Sequence, residues 1–342
     1  MTAIRRVLLT AALLSAPLAK PPAGAQQEPM RIRLGTMAPQ GTSYHRILQE
    51  MGERWRTATN GQVQVTIYAG TMGSEAALVR RMRLGQLQAA ALTSIGIGEI
   101  DAPLKGLQSI PMAFRSVEEQ QYVLSRMRPM LERRLLERGF VTLFWADGGW
   151  VRYFTRSAVE HPEELRRLKI FVTAGDPRQP DLMRSEGFSP VPLEWSDALT
   201  ALRTGMIDAI PVIPFYALSM QFYTVASHMV ALNWQLLLGG AVIRRSVWES
   251  LPPEVQEAMR SAAADAGRRF QERGRLEGDS AVAAMQRRGL TVHTLSPADE
   301  ADWLAMCERL YPRIRGTLVP ADIFDEVMRL RAEYRGQPGA RE

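Results

Sequence analysis

The amino-acid sequence predicts an α/β protein of two lobes that are connected by a long helix. The chain has 342 residues, of which 46% are hydrophobic, and this is enough to bury more than one core. Strands and amphipathic helices alternate along the chain, first from Arg31 and again from about Trp150. A helical pattern then runs nearly unbroken from Pro253 to Arg288, about 35 residues, whereas a typical helix has about 11–12. A helix of that length can span both lobes.

The first 25 residues have the three parts of a secretory signal. Arg5 and Arg6 precede a short apolar stretch, residues 7–19, and the small residues 23–25 offer a cleavage site. The apolar stretch is shorter than the roughly 20 residues that span a bilayer. We therefore expect a cleaved signal peptide over 1–25 and a mature protein in the periplasm. The arginine pair leaves the general and the twin-arginine export routes both open.

Net charge and cysteine content exclude several classes of protein. Cleavage would remove Arg5, Arg6 and Lys20 but no acidic residue, which lowers the net charge from +6 to +3. Such a small charge on a chain of this size argues against nucleic acid or a membrane surface as partners. The single cysteine, Cys307, cannot form an internal disulfide, and its place on the apolar stripe of a predicted helix favours a buried position.

The elements of the first lobe follow from periodicity and from helix signals. Ile32 and Leu34 mark a strand, and the next segment repeats apolar residues at helical spacing until Gly61. VQVTIYAG alternates as a second strand, Ser74 caps a second helix that ends at Gly85, and AAALTS is a short buried strand. This βαβαβ order predicts a parallel sheet with helices on both faces. Ligand-binding loops would lie at the carboxyl ends of its strands, at Met37–Gly41, Gly70–Ser74 and Thr93–Gly98.

The second lobe is predicted from a second series of strands. After a helix over 117–138, the segments VTLFWADG and VRYFT read as two successive strands. LKIFV, SPVPL and MIDAIPV supply three more, and helices begin near Pro162, Pro180 and Trp195. We therefore assign lobe I to 26–150 plus 240–285, lobe II to 151–239 plus 286–330, and a frayed tail to 331–342.

Four motifs in sequence order resemble the DctP-type solute-binding proteins of tripartite ATP-independent periplasmic (TRAP) transporters. They are the opening block from LGTMAPQGTSY to MRLGQLQAA, then LQSIPMAF, then LRRLKIFV with PVPLEWSDALTALRTGMIDA, and finally SVWESLPPEVQEAM. The likeness extends from about Arg31 to Tyr311. It implies a type II-like periplasmic binding protein fold whose two lobes close over a small organic ligand, without catalysis. It also implies two partners, the small and large TRAP membrane subunits.

Two positions depart from the family pattern that the resemblance implies. Phe171 stands where the family has an arginine that clamps the ligand carboxylate, and Val212 stands where it has an asparagine. An arginine makes two charge-assisted bonds to a carboxylate, whereas a phenyl ring offers neither charge nor donors. Phe171 could equally pack within its strand. Arg152 falls where many members have a second arginine that meets the carboxylate, although this side chain could also face solvent.

The remaining cleft positions implied by the resemblance are mostly apolar. Trp195 and Trp234 match positions where a ring faces the ligand, Tyr216 follows the altered loop, and Met37 and Thr93 lie on first-lobe loops. Each aromatic residue taken alone is more often part of a core. The full expected ligand-binding set is Met37, Thr93, Trp150, Arg152, Phe171, Trp195, Val212, Tyr216 and Trp234. Together these residues predict a hydrophobic or aromatic carboxylate as ligand and not a C4-dicarboxylate.

Two alternatives remain open at this point. The aromatic residues could form a cage for a neutral or cationic hydrophobic ligand, since ring faces attract cations. The chain could also be a periplasmic sensor or scaffold that does not serve transport. The four histidines lack metal-ligand spacing, and GxSxG and phosphate-loop motifs do not occur, so we expect no metal, no cofactor and no enzyme activity.

Overall fold

A computed structural model describes residues 28–337 of the chain. The expected signal peptide, 1–25, and the end of the expected tail, 338–342, lie outside the described residues. Ten strands are described: β1 Met30–Thr36, β2 Val63–Ala69, β3 Ala89–Thr93, β4 Phe140–Thr155, β5 Lys169–Thr173, β6 Ser189–Leu193, β7 Ala209–Val212, β8 His228–Val230, β9 Gln235–Arg244 and β10 Thr291–His293.

Twelve α-helices are described: α1 Ser43–Ala58, α2 Glu75–Arg83, α3 Ser94–Ile100, α4 Val117–Glu137, α5 Pro162–Arg166, α6 Arg178–Ser185, α7 Ala198–Thr204, α8 Pro214–Ser219, α9 Arg245–Glu249, α10 Pro253–Gln286, α11 Pro297–Ile314 and α12 Ala321–Arg335. Short 3₁₀ turns cover Ala102–Leu107, Trp195–Asp197 and Phe222–Thr224. No helix within residues 28–337 is both long and apolar enough to cross a membrane.

Lobe I is built around β1, which pairs in parallel with both β2 and β3. This is the arrangement that the βαβαβ order predicts. The side chains of Thr42 and Ser74 cap α1 and α2 by accepting bonds from the backbone N–H groups of His45 and Ala77. Each cap starts its helix a few residues beyond a strand end, so the loops at the carboxyl ends of β1 and β2 are short and ordered.

The segment Phe140–Thr155 is one strand, β4, and not the two strands that the sequence predicts. It pairs antiparallel with β9 over its first part and with β7 over its second. The register shifts between Asp147 and Trp150, and Gly149 adopts a φ of +93°, which glycine tolerates best. The glycine pair is therefore a bulge within a strand that joins both lobes, in the sheet order β2-β1-β3-β9-β4-β7-β5-β6.

Lobe II contains β5 between two parallel neighbours, β6 and β7. The single helix predicted from Trp195 is a 3₁₀ turn followed by α7. The helix that follows β7 was not predicted, and Pro214 occupies its first position, where the missing N–H costs no hydrogen bond. This short helix, α8, carries Phe215 and Tyr216.

Helix α10 spans both lobes, as its length in the sequence predicts, and it contains 34 residues. Its first half buries Val255, Met259 and Ala263 in a core that includes β1 and α1. Its second half buries Ala281 and Met285 in a different core, together with residues of β5 and β7. Because one continuous helix belongs to both cores, it mechanically couples the two lobes.

The C-terminal helix α12 extends further than the sequence analysis allows. Residues 331–335 continue this helix, and so the frayed tail expected from residue 331 is corrected for these positions. Arg335 Nε donates to Glu119 Oε1 at 2.6 Å, and the Glu119 side chain is only 2% exposed. A charge-assisted bond to a buried carboxylate holds the polar end of the helix in place. Cys307 in α11 is fully buried, as predicted.

Candidate functional site

The two lobes meet at the loops that follow β1 and β7. The Tyr216 hydroxyl on α8 donates a hydrogen bond to the Met37 carbonyl oxygen at 2.9 Å. The neighbouring Phe215 packs edge-on against Tyr44 of α1, with ring centroids 5.0 Å apart. Ligands of parallel α/β sheets bind beyond the carboxyl ends of the strands, and both loops are of that kind. We therefore place the candidate site at this inter-lobe junction.

Three rings, which we call the aromatic column, lead from the lobe II core to the junction. The Phe171 ring centroid lies 4.7 Å from that of Trp195, and Trp195 lies 6.2 Å from Tyr216. Phe171 is 1% exposed, whereas Trp195 and Tyr216 are half-buried. Aromatic pairs at such distances each add about 0.5–1.5 kcal/mol beyond the area they bury. The buried ring of Phe171 thus supports Trp195, and Trp195 in turn contacts Tyr216.

The two positions that depart from the family pattern both lie in the lobe II core. Phe171 packs among the core residues, and Val212, on β7, is 5% exposed in the same core. In the sheet, Val212 is directly opposite Arg152 of β4. The structure therefore gives Phe171 and Val212 a supporting position beneath the junction, with Trp195 between Phe171 and Tyr216.

Arg152 is a partly buried cation with few partners. Its Nη2 donates to Asn233 Oδ1 at a long 3.4 Å, and its buried Nε has no hydrogen-bond partner among residues 28–337. Burial lowers the pKa of Arg152 below its ordinary value, while the charge of Asp279 acts in the opposite direction. Since a buried cation is costly unless its hydrogen bonds are satisfied, the partnerless Nε favours the approach of an anionic acceptor.

Trp234 makes its ring contacts away from the aromatic column. Its ring lies edge-on to Tyr153, with centroids 5.2 Å apart, and to Trp303, at 6.2 Å. Trp150 and Met37 are partly buried against the same large core cluster. The structure thus brings Trp195 and Tyr216 together with Met37, but it gives Trp234 and Trp150 a packing role in that cluster.

A partly buried acidic residue that the sequence analysis did not single out, Glu75, lies at the start of α2. Its oxygens accept bonds from Thr93 N at 2.6 Å, Thr93 Oγ1 at 2.5 Å and Gly96 N at 3.0 Å. Burial raises the pKa of Glu75 in spite of these bonds. Thr93 is one of the residues that we expected to contact ligand, and its hydroxyl already donates to Glu75. The sequence did contain a signal for Glu75, because this residue directly follows the predicted ligand-binding loop Gly70–Ser74.

Two further polar side chains, Tyr44 and Asp147, lie close enough for the charge of Asp147 to add to the effect of burial in raising the pKa of the Tyr44 phenol. Asp147 begins the bulge in β4, and with Arg152 we call these residues the hinge cluster: Tyr44, Asp147 and Arg152. Asp147 is 2% exposed; its Oδ2 accepts a bond from Gln121 Nε2 at 3.3 Å, and its Oδ1 has no partner among the described residues. The Tyr44 hydroxyl is equally buried and also lacks a partner there. Burial raises the pKa of both groups, and the negative charges of Glu277 and Asp147 raise that of Tyr44 further.

The junction offers hydrogen-bond donors and acceptors but no arrangement suited to a metal ion. Within the part of the chain that the structure describes, no group of three or more histidine, cysteine, aspartate or glutamate side chains is placed to hold one. The junction therefore offers the Arg152 guanidinium, two oxygen atoms without partners among the described residues (the Tyr44 hydroxyl and Asp147 Oδ1) and aromatic faces. This combination suits the binding of an organic molecule.

Comparison with known proteins identifies the family of this chain. The model of the family DctP, described as bacterial extracellular solute-binding protein, family 7, matches residues 34–316. A solute-binding protein of Roseobacter denitrificans is 28% identical over 267 residues, which cover 75% of this chain and 79% of the relative.

Solved structures of TRAP periplasmic solute-binding proteins share the fold. One from Ralstonia eutropha H16, with bound (S)-2-acetolactate, superposes with a TM-score of 0.81 at 20% identity and covers 89% of this chain and 99% of its own. Another from Sulfitobacter sp. NAS-14.1, with bound β-D-galacturonate, gives 0.80 at 17% identity and covers 89% and 100%. The two-lobed α/β fold that the sequence predicts is thereby confirmed.

Proposed function

We propose that this chain, which belongs to family 7 of the bacterial extracellular solute-binding proteins, the DctP family, captures a small organic monocarboxylate between its lobes. As a TRAP solute-binding receptor it would release this ligand to the membrane subunits of its transporter. The observation that carries the ligand class is Arg152, a cation at the junction whose buried Nε lacks a partner among residues 28–337. A ligand carboxylate would supply the hydrogen-bond acceptor that the Arg152 Nε lacks, and its charge would add to that of Asp279.

The body of the ligand is proposed to be aromatic or alkyl, and the molecule is not expected to be a C4-dicarboxylate. Phe171 stands where the resemblance implies the arginine that clamps the ligand carboxylate, and its buried ring lies against Trp195. Trp195 and Tyr216 present ring surface at the junction. Burial of about 100 Å² of apolar ligand surface against such rings contributes about 2.5 kcal/mol.

One observation favours a second candidate, a neutral or cationic hydrophobic ligand. The carboxyl group of Glu75 lies close enough to Tyr216 for its charge to contribute to a rise in the pKa of that phenol to about 12, for which burial is the larger cause. A carboxylate next to ring faces also suits a cation. Arg152 separates the two candidates, because only an anionic ligand requires it.

Location and partners are proposed from family membership. We propose that the mature receptor acts in the periplasm after removal of residues 1–25, and that the small and large TRAP membrane subunits recognise its closed form. Closure would expel water from the junction, which strengthens the polar contacts to the ligand. The lobes are proposed to follow the boundaries at residues 150, 239 and 285.

The test is identification of the ligand followed by removal of the cation. Mass spectrometry of small molecules that co-purify with the receptor from periplasmic extract should recover a monocarboxylate with an apolar body. Titration calorimetry with aromatic and alkyl monocarboxylates should then show binding that Arg152→Ala abolishes. Recovery of a small hydrophilic diacid would refute the ligand class, and binding that survives Arg152→Ala would favour the cationic or neutral alternative.

A further inference from the structure

The partnerless oxygens of the hinge cluster indicate a second polar contact to the ligand. Tyr44 comes from α1 and is 7% exposed, and Asp147 comes from β4 and is 2% exposed. Neither the Tyr44 hydroxyl nor Asp147 Oδ1 has a hydrogen-bond partner among residues 28–337. A buried polar atom without a partner is costly, and most such atoms in folded proteins are satisfied. Two of them near one bulge are therefore unusual.

The surrounding contacts fix both side chains in place. The Tyr44 ring stacks on Phe270 of α10 at 5.1 Å and meets Phe215 of α8 edge-on at 5.0 Å. The other oxygen of Asp147 is held by Gln121 Nε2 at 3.3 Å. Neither group can simply rotate away to find a partner without losing these contacts. The free hydroxyl and the free carboxylate oxygen are thus held in fixed positions.

Both side chains are tied to the inter-lobe junction. Tyr44 contacts Phe215, whose neighbour Tyr216 bonds to Met37 across the lobes. Asp147 begins the bulge that ends at Trp150, two residues before Arg152. Helix α10 crosses close to the bulge in β4, because a Cβ atom added to Gly274 of this helix would lie only 3.0 Å from the carbonyl carbon of Gly148. This contact leaves little freedom in the backbone that carries Asp147.

We propose that Tyr44 and Asp147 bind a hydroxyl group of the ligand. The Asp147 carboxylate would accept the hydrogen of that hydroxyl, and the Tyr44 hydroxyl would donate to its oxygen. The substrate class would then be a hydroxylated aromatic or alkyl monocarboxylate, with its carboxylate at Arg152. This inference rests on the proposed function, because it assumes that a monocarboxylate binds at the junction.

The experiment compares matched pairs of acids with and without the hydroxyl. Titration calorimetry would use phenylacetate with 4-hydroxyphenylacetate, and cyclohexanecarboxylate with 4-hydroxycyclohexanecarboxylate. A hydrogen bond to a charged group predicts that wild type prefers the hydroxylated member of a pair by roughly tenfold to a hundredfold. Tyr44→Phe and Asp147→Asn should each remove most of this preference while affinity for the plain acid stays within about threefold.

Thermal unfolding of the ligand-free receptor gives an independent readout. Tyr44→Phe keeps the ring contacts but removes the partnerless hydroxyl, so the melting temperature should stay the same or rise. The matched control is Tyr122→Phe on α4, whose hydroxyl donates to Glu333 Oε1 at 2.5 Å and accepts from Gln337 Nε2 at 2.7 Å. This control should lower the melting temperature slightly and leave the preference between acids unchanged.

The possible outcomes separate the two levels of the proposal. Equal affinity of wild type for the two members of each pair would overturn the role of Tyr44 and Asp147 and leave the receptor for monocarboxylates standing. A fall in melting temperature for Tyr44→Phe with the preference retained would also overturn it, because the hydroxyl would then be satisfied within the protein. Binding of none of the four acids would contradict the proposed ligand class and this inference with it.

Discussion

The aromatic column and the hinge cluster both bury large side chains at the junction between the lobes, but they differ in how well these side chains are satisfied. In the column, Phe171 contacts Trp195, and the Tyr216 hydroxyl has its acceptor 2.9 Å away. In the hinge cluster, each of Tyr44, Asp147 and Arg152 has a buried polar atom without a partner among residues 28–337.

This difference indicates that the buried part of the aromatic column stabilises the ligand-free protein, whereas the hinge cluster has polar atoms that a ligand can bind. A packed apolar column contributes to folding in the absence of ligand. Partnerless polar atoms cost stability in the ligand-free protein, and binding sites commonly retain such groups because the ligand satisfies them. The comparison therefore predicts that substitution of Phe171, the buried member of the column, mainly changes stability, whereas substitutions in the hinge cluster mainly change ligand binding.

The largest expected effect is at the column. Phe171→Ala should lower the free energy of unfolding by about 3–5 kcal/mol, the usual cost of removing a buried phenyl ring. Phe171→Arg, which introduces the residue type that the family resemblance implies at this position, should cost more, since it buries a charge in an apolar core. Urea denaturation measures both, with exposed Leu84→Ala as a control expected to change stability by less than about 0.5 kcal/mol. A stable, well-folded Phe171→Arg receptor would show that residue 171 faces the ligand, and it would contradict the contrast drawn between the column and the hinge cluster.

Substitution of Arg152 in the hinge cluster should not lower the free energy of unfolding. Arg152→Met replaces a poorly paired cation by an apolar side chain of similar length, so the unfolding free energy of the ligand-free receptor should stay unchanged or rise by about 1 kcal/mol. Urea denaturation tests this, and Arg203→Met, at an exposed position on α7, is the matched control. A loss of several kcal/mol would show that Arg152 is a structural residue whose present partners already stabilise it.

A smaller effect is expected where the column crosses to lobe I. Tyr216→Phe removes the hydrogen bond to the Met37 carbonyl, which should cost about 1 kcal/mol of unfolding free energy. Because that bond joins the lobes, small-angle X-ray scattering of the ligand-free variant should also show a larger radius of gyration. Tyr223→Phe, whose hydroxyl accepts a bond from Arg288 within lobe II, should leave the scattering unchanged. Identical scattering for Tyr216→Phe and wild type would remove the inter-lobe role of this bond.

The smallest expected effect is a pH dependence from Asp147. Burial raises the pKa of this carboxyl above its ordinary 3.8, so the folded state binds its proton more tightly than the unfolded state does. The stability that this group contributes is therefore present at low pH and is lost as pH rises from about 4 through the raised folded pKa. Asp147→Asn should flatten this part of the stability curve by less than about 1.4 kcal/mol per pH unit. Unfolding followed at several pH values measures it, and Asp181→Asn, on an exposed side chain, should leave the slope as in wild type.

Several elements of the fold follow from local sequence alone. Helix α10 is predicted within about two residues at its end, and Ser74 is both the predicted and the observed cap of α2. The strands β1 and β5 also match their predicted segments closely. These features depend on side-chain periodicity and on caps, which involve residues only a few positions apart.

Other elements depended on neighbours that are distant in the chain. The glycine pair in β4 reads as a break, yet β9 and β7 pair with the strand on both sides of it. The end of α12 reads as a frayed tail, but Glu119, more than 200 residues away, binds Arg335. A local pattern carries no information about such a partner.

The sequence by itself determined the alternation of strands and helices, the bridging helix and the family resemblance, because all three are written in local periodicity and motif order. Only the tertiary structure decided that Phe171 lies in a core, that Glu75 engages Thr93, and that Tyr44 and Asp147 hold partnerless oxygens near the junction. The physical reason is that burial and hydrogen-bond satisfaction are properties of what surrounds a side chain, and those surroundings come from chain segments far apart in the sequence.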